Sequence, residues 1–285
     1  MIAITGASGQ LGRLVITSLL EKTEASNIIA VVRTPETVQD FADKGVIIRQ
    51  ADYDKPETMD AALEGVEKVL LISSNAVGAR FPHHKAVVEA AKKNDVKLLA
   101  YTSILHASAN KMMLAAEHIE TEAYIKKISL PVVMLRNSWY SENYTMSLPT
   151  ILENQGIIGT AGDGRISSAP RAEYAEAAAI TLLTEENQAG KIYELAGDTA
   201  YSLADYAAMI SATTGNEIAY TDLPEADFAN ALVGAGLPEG FAKTLADSET
   251  QARTGSLFED GGDLSRLLGR PTTPMIETIK TALSA

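Results

Sequence analysis

Short apolar runs alternate with helix-period segments through the first half of this 285-residue chain. Ile2-Ala3-Ile4 reads as a strand, and Leu14, Val15, Leu19 and Leu20 then recur at helical spacing. Ile28 to Val32 predicts a second strand. Pro35 opens a helix from Glu36 to Lys44 that Gly45 ends, and Val46 to Gln50 predicts a third strand. Pro56 begins a helix to Leu63, with Gly65 beyond it. Val69 to Ile72 is continuously apolar, as a strand buried on both faces should be. A helix from His84 to Asn94 leads to the strand Leu98 to Tyr101, and one from about Leu114 to Ile128 leads to Val132 to Leu135. Six strands joined by crossover helices predict an α/β fold, a Rossmann-type doubly wound parallel sheet.

The pattern changes near Trp139. Gly156 to Pro170 is glycine-rich, with short β-like pieces at Ile157-Ile158 and Arg165-Ile166. A helix from Pro170 to Leu183, a strand from Lys191 to Leu195, a helix from Leu203 to Thr214 ended by Gly215, and a short strand at Ile218 to Tyr220 follow. Two regions are expected: a Rossmann-type domain over residues 1–138, and a smaller α+β lobe over 139–285 packed on it, with some chain crossing between them.

Ligands of doubly wound sheets bind at the carboxyl ends of the strands. The polar residues at those ends are the turn Gly6, Ala7, Ser8, Gly9, Gln10, Leu11 and Gly12, then Arg33, Asp52, Ser73, Ser74, Asn75, Thr102, Ser103, Arg136 and Asn137. In the turn, Gly6 suits a backbone conformation closed to other residues, Gly9 removes a side chain where a phosphate must approach, and Gly12 lets the helix lie close. The spacing is GxxGxxG rather than GxGxxG. Arg33 stands about 20 residues past the glycines, where an acid would favour NAD. A guanidinium forks onto a 2′-phosphate instead, so turn and arginine together read as an NADPH site.

Charge narrows the partners. With 24 Lys and Arg against 37 Asp and Glu, the net charge of −13 argues against nucleic acid or an anionic membrane surface. There is no cysteine, hence no disulfide and no thiolate chemistry. The first strand begins at residue 2 and no apolar run approaches a membrane span, so a cytoplasmic protein is expected, with self-association into a homodimer left open. No metal site is visible: His83 and His84 are adjacent and point about 100° apart on a helix.

Ile4 to Gly12, Val32-Arg33, Ala51-Asp52-Tyr53 and Leu135-Arg136-Asn137-Ser138-Trp139-Tyr140-Ser141-Glu142-Asn143-Tyr144 resemble the NmrA-like branch of atypical short-chain dehydrogenases/reductases, and within it the bacterial NAD(P)H:quinone oxidoreductases of type 2. The similarity continues through Ala196-Gly197-Asp198 and Leu268 to Thr273. It implies NADPH as cofactor, no flavin, and reduction of a small-molecule quinone by direct hydride transfer. It also adds Ser138, Trp139, Tyr140, Ser141 and Glu142 to the expected cofactor site.

Ordinary short-chain dehydrogenases place Tyr-x-x-x-Lys on the helix that here carries His118, Glu122, Tyr124, Lys126 and Lys127. Tyr124 misses that spacing to either lysine, so no tyrosine–lysine acid–base pair is expected and alcohol dehydrogenation is disfavoured. A quinone carbonyl is activated by conjugation and makes a smaller demand on an acid. Candidate groups at the reacting centre are Asn137, facing the nicotinamide, and Tyr140, Tyr144 or His118 as proton donor, with Glu122 one turn on to hold the imidazole. Arg171 is placed to reach cofactor or substrate from the second lobe. Two other functions fit the missing pair: an NADP(H)-binding redox sensor without turnover, and a reductase of other conjugated electrophiles such as dyes.

Overall fold

The computed structural model describes residues 1–284. Among the described residues nine strands are formed: β1 (Ile2–Ile4), β2 (Ile28–Val32), β3 (Ile47–Gln50), β4 (Lys68–Leu71), β5 (Leu98–Ile104), β6 (Val132–Asn137), β7 (Gly156–Gly159), β8 (Ile192–Leu195) and β9 (Ala219–Asp222). Seven of them make one sheet in the order β3-β2-β1-β4-β5-β6-β8, and β7 pairs with β9. The pairings from β3 across to β6 are parallel, with Ile2 opposite both Ile28 and Lys68. Strand order reverses between β1 and β4, and this is where a doubly wound sheet opens a crevice for a ligand.

The chain divides into two compact units. Unit 1 comprises Met1–Ala107, Glu117–Asn137 and Arg171–Tyr193, and unit 2 comprises Ser108–Ala116, Ser138–Pro170 and Glu194–Ala285. The division is not the single cut at 138/139: the helix Arg171–Leu183 and the start of β8 return to unit 1. The sheet therefore has seven strands where the first half of the sequence offers six. Gly190 N–H donates to Val132 O and Met134 N–H to Lys191 O, so β8 rises in step with β6. Sequence pattern alone does not reveal this, because the pairing spans some sixty residues.

In unit 1, β1, β2, β5 and β6 are buried along their whole length, which matches their uninterrupted apolar runs. One face of the sheet, with Ala3, Val31, Leu71, Leu99, Tyr101 and Met134, packs on Met59, Val87, Val88 and Ile125 from the helices Pro56–Ala62, Arg80–Lys93 and Ala116–Lys127. On the other side the helix Gln10–Leu20 packs along Arg171–Leu183, whose alanines at 175, 178 and 179 allow close approach. In unit 2 the helix Leu203–Thr214 starts on a capping box between Ser202 and Asp205, and Gly215 ends it with φ +77°.

Local differences have local causes. The expected helix 36–44 is a 3-10 turn, Pro35–Val38, followed by one α turn, Gln39–Ala42; the break falls at the fully buried Val38, which leaves the helical region (φ −131°). The helix expected from His84 begins at Arg80, because Glu117 accepts the backbone N–H groups of Gly78, Arg80 and Phe81. Arg165-Ile166 contributes only a single bridge, Ile166 to Tyr201. No helix among the described residues is long and apolar enough to cross a membrane.

Candidate functional site

The glycine turn of unit 1 starts from a pinned strand end. Thr5 Oγ1 donates to Leu70 O and accepts from Ile72 N–H, both at 3.2 Å, tying β1 to β4 where the crevice opens. Gly6 then takes φ +60°, a conformation that L side chains resist. Gly12 has the least room of the three glycines: a methyl group there would lie 2.4 Å from Gly6 O and 2.8 Å from Ala7 Cα. Gly9 caps the helix Gln10–Leu20 without any side-chain hydrogen bond, and its N–H donates to Gly6 O at 3.0 Å. The first-turn N–H groups of Gln10, Leu11 and Gly12 have no intrahelical acceptor, and the helix dipole adds partial positive charge there. The turn is therefore a backbone cradle for an anion, and Ala7 and Ser8 complete its loop.

Arg33 is exposed just past β2, and its carbonyl accepts from Gln50 Nε2 at 2.9 Å. Arg13, the neighbouring cation, is bound to Asp40 and lies over the Phe41 ring. Past β3, Asp52 Oδ1 accepts Asp54 N–H in an exposed local turn. Tyr53 was not among the sequence candidates. Its ring stacks on His83 at 5.3 Å, and its hydroxyl would be 3.9 Å from a methyl on Gly6. Burial raises the pKa of that phenol. Its place directly after Asp52, beyond the end of β3, is the signal that points to it.

Three buried polar atoms at the strand ends of unit 1 have no hydrogen-bond partner: Tyr53 Oη beyond β3, Ser73 Oγ beyond β4 and Asn137 Oδ1 at the end of β6. Buried polar groups are ordinarily satisfied, so unpaired atoms at the carboxyl ends of strands in one sheet mark where a ligand's polar groups belong. Period-two alternation separates Asn137 from Arg136. Arg136 turns to the helix Ala116–Lys127, where its guanidinium grips the 3 % exposed Glu122 through two hydrogen bonds of 2.9 and 2.7 Å.

Other expected residues are occupied internally. Thr102 Oγ1 accepts Ser73 N–H at 2.8 Å, and Ser74 Oγ lies 2.9 Å from His83 Nδ1; both shape the chain beyond β4. Asn75 is exposed. Glu122 does not hold His118, since Arg136 and Ser103 take its carboxylate. His118 instead is buried, with Nδ1 2.8 Å from Tyr101 Oη and Nε2 3.4 Å from Arg80. Desolvation, with help from Arg80, lowers its pKa well below the usual histidine range, so it carries no spare proton at neutral pH. Tyr124 donates to Glu89 at 2.8 Å, and the Lys85 ammonium lies over its ring, 5.6 Å from the centroid. Arg171 opens the helix Arg171–Leu183 within unit 1 and not from the second lobe.

Unit 2 carries the rest of the expected stretch. Ser138 is buried, its N–H donates to Leu195 O, and its Oγ has no partner. Tyr140 bridges to Ala169, flanked by hydrogen bonds from Ser141 N–H to Ala169 O and from Ala169 N–H to Trp139 O. Ser141 Oγ, Ser168 Oγ and Tyr201 Oη form a chain at 3.0 and 2.7 Å. Glu142 starts a single helical turn, Glu142–Thr145. Tyr144 packs edge-on against Tyr201 and beside Tyr206, and burial pushes its pKa far up.

The sequence profile of the NmrA-like family matches residues 1–278. Quinone oxidoreductase 2 of Escherichia coli is 50 % identical over 279 residues, covering 98 % of this chain and 97 % of that protein. The crystal structure of an NADPH-dependent quinone oxidoreductase from E. coli complexed with NADPH superposes with a TM-score of 0.97, at 50 % identity, covering 99 % of this chain and 100 % of that one. Triphenylmethane reductase from Citrobacter sp., complexed with NADP(H), is 37 % identical with a TM-score of 0.94, covering 99 % of this chain and 100 % of that one.

Proposed function

The chain belongs to the NmrA-like family, and from that premise we propose that it is an NADPH-dependent reductase that delivers two electrons to quinones directly, without flavin. The observation that carries this is the set of unpartnered buried atoms, Tyr53 Oη, Ser73 Oγ and Asn137 Oδ1, at the carboxyl ends of the strands, the ends from which the glycine turn also leaves. The end-to-end likeness to an NADPH-bound quinone oxidoreductase supports the choice of dinucleotide and acceptor.

Residues Gly6 to Gly12 hold the pyrophosphate through backbone N–H groups, and Arg33 takes the 2′-phosphate. Asp52 lies toward the adenosine end, while Ser73 and Asn137 face the nicotinamide end. Arg171 of unit 1 belongs to the same binding set, and the family resemblance assigns Ser138, Trp139, Tyr140, Ser141 and Glu142 to cofactor binding. Bound NADPH supplies the hydride. One proton must also reach the quinol, and a conjugated acceptor can take it from water, with Tyr140 the protein hydroxyl assigned to help. His118 drops out as donor because burial keeps it neutral. The test is NADPH oxidation, followed by absorbance, against quinones, a triphenylmethane dye and simple ketones. Quinones are expected to be the best acceptors and ketones inert. Dye turnover well above quinone turnover moves the acceptor class, and cofactor binding with no turnover at all leaves a sensor.

A further inference from the structure

Ser74 sits between the unpartnered Ser73 and the exposed Asn75, and each of its polar groups is held by a side chain from one helix. Its N–H donates to His84 Nε2 at 3.0 Å, its Oγ lies 2.9 Å from His83 Nδ1, and its carbonyl accepts from Arg80 Nε at 2.7 Å. All three come from the first five residues of Arg80–Lys93. We propose that Arg80, His83 and His84 are positioning residues for the dinucleotide: by fixing Ser74 on three sides they set where Ser73 Oγ meets the cofactor. This rests on the reading of unit 1 as an NADPH site.

The clamp needs His84 in one tautomer, and its neighbours impose it. Thr121 Oγ1 donates to Glu117 O at 2.7 Å, so toward His84 Nδ1, 2.9 Å away, it can only accept. The proton therefore sits on Nδ1, and Nε2 is left as the acceptor that Ser74 N–H requires. Burial, reinforced by the charge of Arg80, lowers the His84 pKa to about 3 and keeps the ring neutral. His83 shows the complementary order. Its Nε2 lies 3.1 Å from Asp54 Oδ1 and donates there, leaving Nδ1 to accept the Ser74 hydroxyl proton. Arg80 lies within 3.4 Å of His118 Nε2, which steadies its guanidinium from behind. The helix start is itself fixed by Glu117, which accepts Arg80 N–H at 2.7 Å. Nothing in this arrangement is needed to close the sheet, whose β4–β5 pairing ends at Leu71 and Tyr101.

The experiment titrates NADPH by fluorescence, without any quinone, into the full chain and the variants His84→Leu, His84→Gln and His83→Phe. Leucine removes the acceptor, whereas glutamine returns a carbonyl oxygen near the Nε2 position. Phenylalanine keeps the stack on Tyr53 but loses the Ser74 contact, and its half-buried site tolerates the change. His84→Leu should weaken NADPH about tenfold, His84→Gln should recover to within about threefold, and His83→Phe should weaken it at least about threefold. Steady-state rates should show KM for NADPH rising while kcat at saturation stays nearly constant. Folded His83→Phe with wild-type affinity, or His84→Gln no better than His84→Leu, overturns the clamp while leaving the cofactor reading intact. A wild-type chain that binds no NADPH overturns both.

Discussion

Gly9 and Gly12 stand three residues apart and forbid side chains for different reasons. A methyl on Gly12 would run into the Gly6 carbonyl at 2.4 Å, so the backbone of the turn must move to admit it. Gly9 meets only that same oxygen, at 3.2 Å, and otherwise faces open space. Gly12→Ala is therefore expected to lower stability by about 1–3 kcal/mol, measured by denaturant unfolding. Gly9→Val should stay folded yet lose NADPH binding; wild-type affinity in that variant places the phosphate elsewhere. Arg33 is proposed in the simpler role of a fork for phosphate oxygens. Losing a charge-assisted contact costs roughly 1.5–3 kcal/mol, so Arg33→Ala should weaken NADPH at least about tenfold and leave NADH nearly unchanged. Equal losses for the two cofactors contradict the assignment. The turn after β1 and the cation past β2 are legible in the sequence as positions, because the demands that place them are local.

At the scale of elements, helices and strands announced by period and punctuation are found close to where the pattern places them. Leu203–Thr214, bounded by Ser202 and Gly215, is the clearest case. What the pattern misses is set from a distance. The helix Arg80–Lys93 starts early because Glu117, 37 residues from Arg80, supplies the acceptor for its first N–H groups. Glu117→Ala should cost about 1–2 kcal/mol, the usual worth of a lost cap, and fray the segment around Ser74; hydrogen exchange of Gly78, Arg80 and Phe81 reads this directly. Unchanged protection there contradicts the capping role. The same distance hides the fate of Thr102, Ser74 and His118. Each has a residue type suited to a ligand, and each is taken by a partner that only the fold brings near.

For the whole molecule, one buried acid couples stability to pH. Glu249 in unit 2 is pushed up to about 7, chiefly by burial, with Asp222 adding to the rise while Thr160 N–H and Arg253 oppose it. Its folded pKa lies above its unfolded value, so the folded state holds the extra proton between about pH 4.5 and 7. Stability from this group is present at low pH and is lost as pH rises through that window. Glu249→Gln keeps an oxygen for Thr160 N–H and removes the titration. The variant should gain on wild type by an amount on the order of 1–3 kcal/mol between pH 5 and 8, measured by thermal or denaturant unfolding. A stability difference that is flat across that range contradicts it.

Also at this scale, the doubly wound parallel sheet is legible in the alternation of apolar runs and helical segments. The return of residues 171–193 to the first unit is not, because no residue in that segment says which sheet its strand will join. The central claim, electrons passed from NADPH to a quinone without flavin, is tested most directly by anaerobic stoichiometry on flavin-free protein. One NADPH should be consumed for each quinone reduced, with the quinol as product and no semiquinone accumulating. NADPH that binds tightly but is not oxidised by any quinone, or oxidation that appears only when flavin is added, would contradict the account.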